Sequence, residues 1–134
     1  MKTVRVAITQ PYVPAYRVPL WAGVIEALGS EGFEARVFFG GDAKQMAVRA
    51  RRGDAVEVPW AQQVPTSTIR LGGQFPPLMY RRIPTGWRQS LLVTEMQATN
   101  GNAWAARVTN RPYITLGHGR EYTSDSNSMA ARLE

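Results

Sequence analysis

The sequence predicts an α/β fold: a three-layer αβα arrangement built on a mostly parallel sheet. Three observations predict it. Short runs rich in β-branched residues recur along the chain, stretches of helical apolar periodicity lie between them, and Gly or Pro marks the changes of period.

"VRVAIT" (4–9) alternates and is rich in Val, Ile and Thr, which predicts the first strand. Two prolines keep "QPYVPAYR" (10–17) out of any regular element. "VPLWAGVIEALGSEG" (18–32) then places Leu20, Trp21, Val24, Ile25 and Leu28 on one helical face, with Pro19 suited to the first turn and Gly32 to the stop. "FEARVFFGG" (33–41) is the second strand. Asp42 suits the cap of a second helix with Ala43, Met46, Ala47 and Ala50 on its apolar face and Gly53 at its end. The arginines at 49, 51 and 52 fall in its last turn, where they complement the helix dipole.

"AVEVPW" (55–60) predicts a third extended piece. Residues 61 to 87 carry four prolines and an adjacent pair of glycines, which leaves short extended segments at "TSTIRL" and "PLMYRR" joined around Gly72 and Gly73. "SLLVTEM" (90–96) is the fourth core strand, Asn102 suits the cap of the short helix "AWAARVTN", and "YITLG" (113–117) is the fifth strand. "SDSNSMAARLE" (124–134) reads as a capped helix start that stops after little more than two turns, as if a longer protein continued.

With 134 residues the chain supports one domain with a core. Apolar residues make up 44% and charged ones 19%, the composition of a soluble globular fold. No apolar run is long enough to cross a bilayer, and "MKTVRVAITQPY" lacks a signal-peptide core, so a cytoplasmic location is expected. The absence of cysteine excludes disulfides and thiolate metal sites. The formal charge is +6, and 14 of the 16 basic residues are arginine. That balance suits a phosphate-rich partner, a nucleic acid or a sugar nucleotide, and equally a base-composition bias. The charge is scattered, and no aromatic-interleaved basic stripe accompanies it, so nucleic acid is not the expected partner.

Ligands of an open parallel sheet bind outside the carboxyl ends of its strands. The loops there would bring Tyr12, Tyr16, Arg17, Glu95, Gln97, Asn100, Asn102, His118 and Arg120 along one crevice. Its groups are hydrogen-bonding and aromatic; no acid/base pair, nucleophile arrangement or metal-ligand set is among them. Neither G-x-G-x-x-G nor G-x-x-x-x-G-K-[ST] follows the first strand, which argues against a dehydrogenase or a P-loop enzyme. His118, the only histidine, sits between Gly117 and Gly119 where the backbone can approach a ligand closely, with Arg120 next to it. Glu95 could orient a sugar hydroxyl or fix a neighbouring loop. Tyr12 and Tyr16 read equally well as packing residues, and Trp21 and Trp104 as core. "PPLMYRRIPTGWR" (76–88) has the composition of an interfacial membrane patch, or of a loop folded onto the domain.

The motifs "PYVPAYRVPLW", "LLVTEMQ" and "PYITLGHGR", in that order and spacing, resemble the N-terminal half of GT-B glycosyltransferases, nearest to the retaining, family-four-like group. The resemblance implies a Rossmann-like domain spanning residues 1–134 that receives the acceptor, with a second, donor-binding domain absent from this chain. It implies that His118 approaches the donor sugar, as the catalytic candidate. Tyr12, Tyr16, Arg17, Glu95, Asn100, Gly117, Gly119 and Arg120 become substrate-binding candidates. The implied partners are a nucleotide-sugar donor, which is a substrate and not a cofactor, and a sugar or lipid-linked acceptor. A peripheral contact at the inner face of the membrane goes with them. This half lacks the groups that hold the departing diphosphate, so alone it is expected to be inactive. The competing readings are a stand-alone flavodoxin-like binding module and a basic nucleic-acid-binding domain.

Overall fold

The computed structural model describes residues 3–41, 43–52 and 57–117. Five parallel strands form the main sheet: β1 (Val4–Gln10), β2 (Phe33–Phe39), β3 (Ala61–Gln63), β6 (Leu91–Glu95) and β7 (Tyr113–Leu116), in the order β3-β2-β1-β6-β7. Two further strands, β4 (Thr66–Ile69) and β5 (Leu78–Arg81), pair with each other as an antiparallel hairpin, and Met79 of β5 also bridges to Asn100, its N–H donating to the Thr99 carbonyl (2.8 Å). The helices are α1 (Val18–Ser30), α2 (Ala43–Arg51) and α3 (Gly101–Val108). This is the α/β class the sequence predicts, a Rossmann-like sheet flanked by helices.

Period-two alternation sorts the strand residues between the two faces. Val6, Ile8 and Val37 are buried with Trp21 of α1 on one side, and Val24, Ile25 and Leu28 pack partly covered against them. Ala7, Phe38 and Leu92 are buried on the other side with Ala106 of α3, Ile83 and Trp87. Gly32, at φ +89°, takes a backbone conformation that side chains resist, and this ends α1 where the sequence places the stop.

Four local expectations change. Leu20 is 58% exposed, because it lies at the flank of the α1 stripe centred on Trp21, Val24 and Leu28. The third strand falls at Ala61–Gln63 and not at 57–60, while 55 and 56 lie outside the described residues. Pro59 instead opens a turn closed by the Ala61 N–H to the Val58 carbonyl (3.2 Å), and pairing with β2 begins only beyond it. In α2, Ala43, Ala47 and Ala50 are exposed, and Met46 alone of the expected apolar face is partly covered. The cap of α3 is Asn100, whose side chain accepts from the Asn102 N–H, so the helix starts earlier than the sequence predicts. The expected Asp42 cap, the Gly53 stop and the helix at 124–134 lie outside the described residues. Among the described residues, no helix is long and apolar enough to cross a membrane.

The hairpin packs against the carboxyl edge of the sheet with no room to spare at Gly40, just past β2. A Cβ there would meet the Val64 carbonyl oxygen at 2.6 Å and the Thr66 hydroxyl closer still. Gly40→Ala should therefore cost about 1–3 kcal/mol through forced overpacking. Gly23→Ala, mid-helix with nothing within 4 Å of a new Cβ, should instead gain about 0.5–1 kcal/mol. Urea unfolding of the two variants side by side checks both signs.

Candidate functional site

The chain leaves β1 toward β2 on one side, whereas β6 leads to β7 on the other, so the topological switch lies between β1 and β6. Arg81, the last residue of β5, spans the edge there. Its Nε donates to the Gly40 carbonyl beyond β2 (2.7 Å), and its Nη1 donates to Glu95 Oε1 at the end of β6 (3.0 Å). The two side chains are only 4% and 12% exposed. Burial raises the Glu95 carboxyl above its usual range, against the attraction and hydrogen bond of Arg81. Burial likewise lowers the Arg81 guanidinium, with Glu95 opposing it.

A polar network holds this pair from below. The Arg81 N–H donates to Asn102 Oδ1 (2.8 Å), and Asn102 Nδ2 donates back to the Arg81 carbonyl (2.9 Å). Asn100 Nδ2 donates to Thr94 Oγ1 (2.6 Å) and to the Glu95 carbonyl (2.7 Å). The hydroxyls of Thr9 and Thr94 share a hydrogen bond that ties β1 to β6. Each of these side chains is buried with a partner, as a low-dielectric site requires.

Two hollows open at this side of the molecule. The larger, of about 500 Å³, lies along the ends of β2 and β3 and is lined by Tyr12, Phe39, Met46, Arg49, Glu57 and Gln63. A second lobe of about 400 Å³ shares Tyr12, Met46 and Arg49 and adds Lys44 and Arg52. The Arg49 guanidinium lies 3.8 Å over the Tyr12 ring, a cation–π stack that joins the loop after β1 to α2. The smaller hollow, of about 210 Å³, lies between β6, β7 and α3, and Glu95, Gln97, Trp104, Arg107, Tyr113 and Thr115 line it. Trp104 is held there by its indole N–H, which donates to the Ala98 carbonyl (2.8 Å).

The single crevice expected from the sequence is therefore divided. Tyr12 lines the larger hollow, and Glu95 and Gln97 line the smaller one. Of the two roles read for Glu95, the structure displays the fixing of a neighbouring segment. Asn100 and Asn102 are 1% and 3% exposed, and their amides are committed to the network beneath Arg81. Tyr16 is 74% exposed with the Arg17 guanidinium 5.8 Å from its ring, and neither lines either hollow. Gly117 closes in on β6: a Cβ there would meet Met96 Cβ at 2.7 Å. His118, Gly119 and Arg120 lie outside the described residues.

Arg81, Met46, Trp104 and Arg107 escaped the sequence reading as site residues. For Arg81 alternation in "LMYR" gave no signal, because Leu78, Met79 and Tyr80 are all partly buried and Arg81 alone is buried. Arg49, within "RARR" (49–52), was read as a dipole complement in preference to a nucleic-acid footprint, and not as a site residue. Among the described residues, no group of three or more His, Cys, Asp or Glu could hold a metal ion. No family model matches the chain, and neither a curated protein nor a solved structure matches it.

Two measurements test the Arg81–Glu95 pair. Arg81→Met strands a buried carboxylate and should cost about 3–5 kcal/mol, part of which Glu95→Gln in the same chain restores. Glu95 also has a signed pH dependence. Its folded value lies above the ordinary 4.5, so its own stabilising contribution is complete below that value and is lost as pH rises through the folded one. The stability difference between wild type and Glu95→Gln should thus move against the wild type as pH rises above about 4.5. Movement toward the wild type would mean that attraction to Arg81 outweighs burial.

Proposed function

We propose that the chain is the acceptor-binding half of a glycosyltransferase, which moves a sugar from a nucleotide-sugar donor to an acceptor. One observation carries the reading beyond the order of the motifs. The loop after β1, where a nucleotide-binding sheet would place a glycine-rich phosphate turn, instead contributes a tyrosine to an open hollow at the carboxyl edge.

The chemistry of that hollow suits a sugar. Tyr12 offers an aromatic face for the C–H side of a pyranose ring. Gln63 and Glu57 offer donors and acceptors for its hydroxyls. Lys44 and Arg52 at the second lobe suit a phosphate on the acceptor, as a lipid-linked sugar carries. Tyr16, Arg17, Asn100 and Arg120 belong to this reading as acceptor-side candidates, through the resemblance alone. The close approach of Gly117 to Met96 carries the chain past β7 toward His118. In this reading His118 makes one directional hydrogen bond to a hydroxyl of the donor sugar, flanked by Gly117 and Gly119. That bond strengthens as the ring flattens toward an oxocarbenium-like transition state. The donor diphosphate is held by groups of another domain, so transfer belongs to the longer protein.

The test uses the enzyme that joins this chain to its donor-binding domain, assayed with labelled nucleotide sugars. His118→Ala should lower kcat/KM by about tenfold to a hundredfold, the worth of one such bond, and leave the Tm unchanged. Tyr12→Leu should raise KM for the acceptor with little change in kcat. Absence of sugar transfer, or unchanged kinetics in both variants, overturns the reading.

A further inference from the structure

The β4–β5 hairpin combines a rigid base with a bare apolar tip. Its base is fixed by Arg81 and Asn102, and Ile69 pairs with Leu78 in the last rung before the turn. Gly72 and Gly73, at φ +79° and +61°, reverse the chain beyond that rung. Around them Ile69, Leu71 and Phe75 are 42%, 58% and 53% exposed. Three large apolar side chains held within one short turn are not the scattered singles of an ordinary surface.

The charge around the tip has one sign. No Asp or Glu occurs from residue 58 through 94, while Arg70 stands in the turn itself and Arg82 is exposed just past β5, at the base end of the hairpin. Arg82 Nε donates to Ser67 Oγ (3.2 Å) of β4, which lays its side chain along the hairpin. The segment whose composition suggests a membrane patch, 76–88, is largely used up by the fold: Arg81, Ile83 and Trp87 are buried. The exposed apolar groups lie instead on its N-terminal side.

We propose that this hairpin tip docks on an anionic lipid surface, with Ile69, Leu71 and Phe75 entering the acyl boundary and Arg70 and Arg82 meeting lipid phosphates. Charge complementarity selects this occupant. Apolar side chains alone would serve a protein partner, and arginines alone a nucleic acid. The combination on one hairpin, apolar groups toward the tip and Arg82 at the base, with no Asp or Glu from 58 through 94, matches the layered chemistry of an anionic bilayer interface. The proposal stands independently of sugar transfer.

The test is co-sedimentation at low salt with vesicles of phosphatidylcholine containing phosphatidylglycerol, against vesicles of phosphatidylcholine alone. The protein should pellet with the anionic vesicles only, and added salt should release it. The double variant Leu71→Ser/Phe75→Ser should bind about tenfold more weakly or less, with its Tm unchanged because both sites are exposed. In Phe75→Trp, emission should shift to the blue on vesicle addition and be quenched by brominated lipid, relative to the wild-type tryptophans. Failure to pellet, or pelleting that survives the double substitution, overturns the proposal. So does an introduced indole that is already blue-shifted without vesicles, which would mean that protein covers the tip. Binding to single-stranded nucleic acid in place of vesicles would assign the arginines to that partner instead.

Discussion

The guanidinium of Arg81 joins three segments far apart in sequence, beside backbone bonds such as that from the Met79 N–H to the Thr99 carbonyl. It reaches the Gly40 carbonyl after β2 and the Glu95 carboxylate at the end of β6, and through its own peptide group it is clamped by Asn102 of α3. Taking both charges out of water is costly, as the raised carboxyl and lowered guanidinium record. What the pair provides in return is position. An apolar contact at this spot would tolerate sliding, whereas a planar fork with fixed acceptors admits one placement of the hairpin.

That placement decides the shape of the working edge. An open parallel sheet would present one continuous crevice across the switch between β1 and β6. The edge instead carries a larger hollow beside Tyr12 and Arg49 and a smaller one beside Glu95 and Trp104. Because α2 covers the sheet sparingly, with most of its alanines exposed, the larger hollow stays open. The same anchored base gives the hairpin tip a defined direction, which a free loop of this composition would lack.

The opposite edge is built for stability. Trp87 packs edge-on to Phe38 at 5.4 Å, and the guanidinium groups of Arg5 and Arg36 lie 4.9 and 5.7 Å from its ring. Arg5 near the start of β1 also donates to the Gly86 carbonyl and pairs with Glu34 at the start of β2. Arg111, ahead of β7, donates from Nε and Nη2 to the Ser90 carbonyl ahead of β6 (3.1 and 2.6 Å). Here many of the arginines that make the chain basic serve as multi-donor staples for carbonyls and ring faces. Net charge alone is thus a weak guide to a phosphate partner in this protein.

The parallel sheet, its α1 cover and the hairpin around Gly72 and Gly73 were legible in the sequence, because alternation, the Trp21–Leu28 stripe and paired glycines act over a few residues. So was the strand-end address of Tyr12 and Glu95, since topology alone puts those loops at the carboxyl edge. The partner of Glu95 was not legible, because Arg81 lies 14 residues away and meets it only when the hairpin folds back. Nor was the helix cap: Asn100 and Asn102 are both good capping residues, and the hydrogen-bond demand of the Arg81 peptide decided which served the helix and which the hairpin. Pro59 ended one extended run and β2 paired the next, a choice made by the sheet and not by local propensity. Sequence by itself determined which elements form and which strand ends face outward. Only the tertiary structure decided which polar groups are consumed in holding the hairpin and which are left to line a hollow, because burial and partners exist only once distant segments meet.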